Sequence, residues 1–235
     1  LPGDVVDLTG VPALRGITQG AGLRIGACTT WAEIAEAALP PALMALQQAA
    51  LQVGGRQIQN AGTIGGNICN ASPAADGIPP LLVLEAELEL VSLTGTRRIA
   101  LEQALIGPRK LALAPGEVLV AIHIPQPMLA GASAFHKLGT RSHLVISVVM
   151  GALWLAVEGG TITRARAAIG SCAPTARRLP ALEQALTGQP IAEVQIDPAM
   201  ILPVLAPITD IRATAEYRAQ TAVSLLRRLC ERIAG

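Results

Sequence analysis

Apolar residues recur along this chain with two different periods, and the switches between them mark out its elements. Near the end, Ala219, Ala222, Leu226, Leu229 and Ile233 recur every three to four residues, which predicts an amphipathic helix over 215–233. Val118, Val120, Ile122 and Ile124 instead alternate with Leu119, Ala121 and His123, the period of a strand. Short apolar runs at 5–8, 22–27 and 87–93 predict further strands, with Thr94-Gly95 turning the last into a hairpin. Beyond Ser133, strands are predicted near 133–138, 146–157 and 161–171, the last two joined by a turn at 158–161. Thr30 and Glu33 have capping-box spacing, so a helix over 31–39 follows, stopped by Pro40-Pro41. Pro41 suits the first turn of a second helix ended by Gly54-Gly55. Short helices are also expected after Pro79-Pro80 and over 182–186.

Pro125, Pro127 and the small residues up to Ser133 read as a linker. The expected organisation is α+β, with one domain over 1–128 and a second over 132–235. Apolar residues make up 51% of the 235 positions and aromatic ones only 2%, so the cores must be built from Ala, Leu, Val and Ile. A mean hydropathy of +0.48 raises the question of a membrane. The longest apolar run, 144–157, falls short of the roughly 20 residues that a bilayer core requires and reads as a buried strand with its turn. The opening Leu-Pro-Gly-Asp does not read as a secretory signal, and a cytoplasmic location is expected.

A net charge of +1 gives no basic face for nucleic acid, and stacking platforms are lacking. Cys28, Cys69, Cys172 and Cys230 form no short-spaced pair, so they are expected to be small buried residues in a reducing compartment and not metal ligands. His123, His136 and His143 lack metal-binding helical spacing, and Glu85, Glu87 and Glu89 alternate as on the solvated edge of a strand. Without an acid–base or nucleophilic constellation, the chemistry left is redox chemistry carried by a bound cofactor.

The segment 57–76 is the most specific in the chain. Gly65-Gly66 removes two Cβ atoms in a row between Thr63 and Asn67, which lets the backbone turn sharply and approach a ligand. Successive N–H groups in such a turn can cradle a phosphate, although a purely structural turn would use the same glycines. Ser72-Pro73 reads as an N-cap followed by Pro at the first helical position, which would aim a helix dipole at the same place.

The string Thr63-Ile64-Gly65-Gly66-Asn67, continued through Asp76, resembles the second flavin loop of the FAD-binding medium subunits of molybdenum hydroxylases, the carbon monoxide and xanthine dehydrogenase family. Ser-Ala-Phe-His-Lys-Leu-Gly-Thr-Arg at 133–141 resembles the opening of their C-terminal domain. Asp210-Ile211-Arg212 with Ala215-Glu216-Tyr217-Arg218 resembles the start of their last helix. The resemblance implies an FAD-binding domain of the PCMH/vanillyl-alcohol-oxidase type, here N-terminally truncated, followed by a three-stranded antiparallel sheet with helices. It places Thr63, Ile64, Gly65, Gly66 and Asn67 around the FAD pyrophosphate, and Asp76, Leu119 and Lys137 at flavin contacts. On the residues alone, Asp76 equally suits a first-turn helix position, Leu119 a core position, and Lys137 an exposed strand end. Val53 stands where eukaryotic xanthine dehydrogenases carry a Phe that packs on the flavin.

The resemblance further implies a heterotrimer. An iron–sulfur subunit would carry [2Fe–2S] clusters, a large subunit would carry the molybdenum cofactor and oxidise the substrate, and this chain would relay electrons to an external acceptor. The family's first glycine-rich flavin loop has no counterpart here, so an upstream segment, continuous or nicked, is expected to pack against 5–27 and 60–76. Two other readings stand beside this one. A stand-alone FAD/NADPH reductase of the same fold, as in enolpyruvoyl-glucosamine reduction, would act without partners. A flavin-free docking fragment would follow if the missing loop removed several charge-assisted hydrogen bonds, each worth roughly 1.5–3 kcal/mol.

Overall fold

The computed structural model describes residues 4–141 and 144–235; His143 lies outside them. The first part of the chain contains, in order, β1 (Ile17–Gln19), β2 (Gly22–Gly26), α1 (Trp31–Glu36), α2 (Met44–Ala50), α3 (Arg56–Ala61), α4 (Ile64–Asn70) and α5 (Ile78–Val83). It continues through β3 (Glu87–Ser92), β4 (Gly95–Ala100), α6 (Leu101–Ala104), β5 (Leu105–Gly107), β6 (Lys110–Leu111) and β7 (Val118–Pro125). Then come β8 (Ala132–Leu138), β9 (Val149–Glu158), β10 (Thr161–Gly170), β11 (Arg177–Arg178), α7 (Pro180–Leu186) and α8 (Ala215–Ala234).

The first sheet is antiparallel with the order β1-β2-β7-β3-β4. The Thr30 capping box forms as its spacing predicts: Thr30 N donates to Glu33 Oε2 at 2.6 Å and Glu33 N to Thr30 Oγ1 at 3.2 Å. The alternation along β7 is interrupted. Ala121 pairs with Glu89 but Leu119 pairs with Leu90, so Val120 is the extra residue of a bulge. The bulge reverses the phase: Ile122, Ile124 and Leu119 are all buried while Val118 is exposed.

The second sheet has the three long antiparallel strands β8, β9 and β10, with the two-residue β11 added beside β10. Both of its faces are covered. Met150, Ala152 and Trp154 join the core of the first part, whereas Val149, Leu153 and Leu155 pack with Leu182, Leu225, Leu226 and Leu229 of α7 and α8. A strand buried on both faces reads as an unbroken apolar run, which accounts for the sequence over 149–157. The edge of β8 is closed by α2: Ala45 N donates to Ser133 Oγ at 2.9 Å, and Phe135 N donates to Gln48 Oε1 at 2.7 Å.

Several expectations fail, each for a physical reason. Residues 5–8 form no strand. No helix starts at Ser72; its Oγ accepts from Ala74 N at 3.2 Å and closes a turn. A helix from Pro73 would place Pro79 and Pro80 in its interior, where each would lack an N–H donor; starting at Ile78 confines both to the first turn. The strand expected from 146 begins at Val149, and α3 between Gly55 and the glycine segment was not foreseen. Glu85 lies in a turn at φ +51, off any strand, and accepts from Arg164 Nη2 at 2.7 Å and Arg166 Nε at 2.5 Å. It thereby ties the end of α5 to β10.

Arg218 of α8 is the corresponding anchor on the other side of the second sheet. It is 3% exposed, and its guanidinium donates to Val148 O at 2.5 Å, Ser171 O at 3.3 Å and Asp210 Oδ1 at 2.7 Å. Arg218→Ala leaves these acceptors without their donor and is expected to lower stability by roughly 3–5 kcal/mol in denaturant titrations. Asp210 is held at about 2, first by the Arg212 backbone N–H and then by Arg218 and Arg212 side chains. A lowered carboxylate contributes stability above its unfolded pKa that is lost as pH falls through the folded value. The variant should therefore lose this acid resistance at a higher pH than the parent.

Candidate functional site

The glycine pair forms the first turn of α4, not a free turn. Thr63 is its N-cap, with Oγ1 accepting from Gly66 N at 3.1 Å. Ile64 N donates to Thr29 O at 3.0 Å, Gly65 N to Ala27 O at 2.8 Å, and Asn67 N to Thr63 O at 3.1 Å. The expected cradle of unpaired N–H groups is thus corrected: each of these amides has a partner within the chain. What the glycines supply is space, and the two supply it differently. A Cβ at Gly65 would lie 2.6 Å from Ala27 O and 2.8 Å from Ala27 Cβ, so Gly65 is required for α4 to pack beside the end of β2. A Cβ at Gly66 would meet only its own cap, Thr63 Oγ1, at 3.1 Å.

Gly66 opens onto a cleft of about 570 Å³ walled by Thr63, Gly65, Cys28, Cys69 and Leu119, with Val5 and Val6 across from them. The bulge in β7 turns Leu119 to this wall. Glu117, next to it, accepts from Arg97 Nε at 2.5 Å and Arg97 Nη2 at 2.7 Å, and these bonds with that from Ala114 N hold its carboxyl at about 2. Ile64 points the other way and is fully buried in the first core. Asn67 Oδ1 is buried and accepts no hydrogen bond from the described residues. Cys69 is exposed, whereas Cys28, Cys172 and Cys230 are buried, so the expectation of four buried cysteines fails at Cys69.

Asp76 and Lys137 do not line this cleft; they pair with each other. Lys137 Nζ donates to Asp76 Oδ2 at 2.6 Å and to Gln52 O at 3.2 Å, and Ser147 Oγ donates to Asp76 Oδ1 at 2.7 Å. Their side chains are 7% and 10% exposed, so Lys137 is not an exposed strand end. Asp76 precedes the N-cap of α5 and is not in its first turn. Burial pushes the Asp76 carboxyl above its ordinary value despite the adjacent ammonium. Sequence reasoning missed Ser147, although it is the one hydroxyl in the apolar run 144–157. Gln52 contributes through its carbonyl, which leaves no sequence signal. His123 is half-buried and paired with Glu89 at 2.5 Å on the outer side of the first sheet.

Comparison with known proteins agrees with this architecture. The family described as the FAD binding domain in molybdopterin dehydrogenase matches residues 1–127, and the CO dehydrogenase flavoprotein C-terminal domain matches 133–233. The chain therefore belongs to the FAD-binding medium subunits of the molybdenum hydroxylases, oxidoreductases of the xanthine and CO dehydrogenase family. It is 35% identical over 220 residues to the putative xanthine dehydrogenase FAD-binding subunit XdhB of Escherichia coli, covering 91% of this chain and 75% of that one. It is 33% identical to the carbon monoxide dehydrogenase medium chain of Afipia carboxidovorans, covering 98% and 81%. Among solved structures, a Cu,Mo-CO dehydrogenase matches with a TM-score of 0.89 at 30% identity, over 97% of this chain and 81% of that one.

The cofactor of this family is FAD, and the residues present suit it. Gly66 leaves open the volume that a Cβ would fill, and the Thr63 hydroxyl, accepting from Gly66 N, keeps its own O–H to donate. Asn67, the next residue of the turn, is not part of the cleft wall; its orphaned Oδ1 faces Gly77, 3.0 Å from where a Cβ there would lie. Among the described residues, no helix is long and apolar enough to cross a membrane.

Proposed function

We propose that this chain holds FAD against the first turn of α4 and relays electrons from the [2Fe–2S] clusters of a partner subunit to an external acceptor. A large subunit carrying the molybdenum cofactor would oxidise the substrate of the complex. The observation that carries this reading is the cleft at Gly66, open on the side where a diphosphate needs close approach. FAD, when bound, supplies the ability to accept and return electrons one or two at a time.

The chain's own residues bind and orient. Thr63 would donate its hydroxyl to a phosphate oxygen, Gly66 would give the room, and Asn67 would contribute through its amide NH2 donors, not its Oδ1. Gly65 and Ile64 seat the turn, one against Ala27 and the other in the core. Leu119 is the apolar wall, and Asp76 with Lys137 sets the charge at the junction of the FAD-binding region, 1–128, with the region 132–235. Four cysteines without a disulfide suit a reducing compartment and a cytoplasmic complex.

The test is co-purification of this chain with its neighbouring subunits, followed by an absorbance spectrum. Flavin bands, together with iron–sulfur and molybdenum content in the same particle, are expected. A stable, flavin-free monomer without redox partners would refute the reading. NADPH oxidation by the isolated chain with an enolpyruvoyl sugar nucleotide would replace it with the stand-alone reductase.

A further inference from the structure

Resting on the FAD reading above, we propose that Arg97 is a positioning residue of the cofactor cleft: it clamps the connection between β6 and β7 into the cleft wall and cancels the charge that Glu117 would otherwise turn on a diphosphate. Among the described residues, no Lys, Arg or His lines the cleft, whereas the carboxylates of Asp7 and Glu117 do. Asp7 is exposed to water and tied to its own turn, accepting from Thr9 N at 2.9 Å and Thr9 Oγ1 at 2.7 Å. The Glu117 side chain is only 11% exposed, so water screens its charge much less.

Strand alternation brings Arg97 to this place. Arg98 pairs across to Glu89 on the outer face of the first sheet, so Arg97 belongs to the inner face, opposite the buried Leu90. Because β4 is the edge strand, the side chain leaves the core at its rim and reaches the β6–β7 connection. Nε donates to Glu117 Oε1 at 2.5 Å and Nη2 to Glu117 Oε2 at 2.7 Å, a bidentate pair, and Nη2 also donates to Ala112 O at 2.9 Å. Glu117 closes the turn from its own side: Oε2 accepts from Ala114 N at 2.7 Å, and Glu117 N donates to Ala114 O at 3.1 Å. One guanidinium thus fixes both ends of the segment 112–117, and Leu113, Val118 and Leu119, within and just beyond it, form wall of the cleft.

Charge separates this role from simple bracing. Glu117 and Gly66 line the same cleft, so a diphosphate seated against Gly66 faces the wall that carries Glu117. With Arg97 in place that wall presents a neutral ion pair. Without it, Glu117 stays ionised at neutral pH and repels the ligand. A brace is lost with any change that breaks the bidentate geometry. Charge cancellation instead survives in Arg97→Lys, and it becomes unnecessary once Glu117 is replaced by a neutral side chain.

The experiment uses the complex, depleted of flavin and titrated with FAD, with flavin fluorescence giving the dissociation constant. The Arg97 side chain is 42% exposed, so the variants are expected to fold, which thermal melting checks. At low salt Arg97→Gln should bind FAD about tenfold or more weakly than the parent, and the loss should shrink as ionic strength rises and screens the repulsion. Arg97→Lys, and Arg97→Gln combined with Glu117→Gln, should each bind within about threefold of the parent. Equal weakening in all three variants, a loss that salt does not change, or parent-like binding by Arg97→Gln overturns the role of Arg97 and leaves the cofactor reading intact. A parent complex that takes up no FAD overturns both.

Discussion

Gly66→Val is expected to give a chain that folds normally and carries no flavin. The position is helical and exposed, and the one atom near an added Cβ is Thr63 Oγ1 at 3.1 Å, a tight contact that a shift of a few tenths of an ångström in the Thr63 side chain relieves. Its two methyl groups would extend into the cleft where a diphosphate must come close. If two charge-assisted hydrogen bonds are lost, each worth roughly 1.5–3 kcal/mol, affinity falls by about a hundredfold or more. Gly65→Ala is the contrast. There the added methyl meets Ala27 O at 2.6 Å, with no flexible side chain to yield, and overpacking of roughly 1–3 kcal/mol should appear as lost stability. Flavin content and thermal melting of the two variants separate the roles. Full flavin content in Gly66→Val would reduce the glycine pair to a packing feature.

The difference between those two glycines could not be read from the sequence, and the reason is general to this chain. Local rules hold where local forces decide: the Thr30 capping box and the period of α8 form where the residues place them, and the hairpin forms with its turn one residue early, at Leu93-Thr94, because Gly95 already pairs with Ser92. They fail where distant segments decide. Gly65 is fixed by Ala27, on another element, and nothing within 57–76 reveals that contact. The Val120 bulge depends on the register between β7 and β3, which the alternation of residues 118–124 does not reveal, although Leu119 is buried as its core reading expects. The resemblance implies flavin contacts for Asp76 and Lys137 one by one, yet their pairing joins residues 61 positions apart. Only the tertiary structure supplies their relation.

That relation changes what a Lys137 substitution should do. Treated as an isolated cation near the flavin, Lys137→Met would alter the redox potential and leave folding nearly intact. As the partner of a buried carboxylate, it cannot be removed so cheaply: Asp76 would keep only the Ser147 hydrogen bond, in a site 10% exposed. Loss of one member of a buried pair costs roughly 3–5 kcal/mol, so the variant should be markedly less stable than the parent at neutral pH. The pH dependence has a defined sign. Without the ammonium, the folded-state pKa of Asp76, already raised by burial, moves further up from its unfolded value of 3.8. Between those two values the folded state binds the extra proton. The associated stability is therefore complete below the unfolded pKa and is lost as pH rises through the folded one. Lys137→Met should accordingly regain, in mild acid, part of what it loses at neutrality, relative to the parent at the same pH. Adding Asp76→Asn removes the stranded charge, so the double variant should be more stable at neutral pH than Lys137→Met alone. Denaturant titrations of the four members of this cycle across pH measure the coupling directly. A single variant within about 1 kcal/mol of the parent, or a cycle without coupling, would mean that the pair does not form in solution.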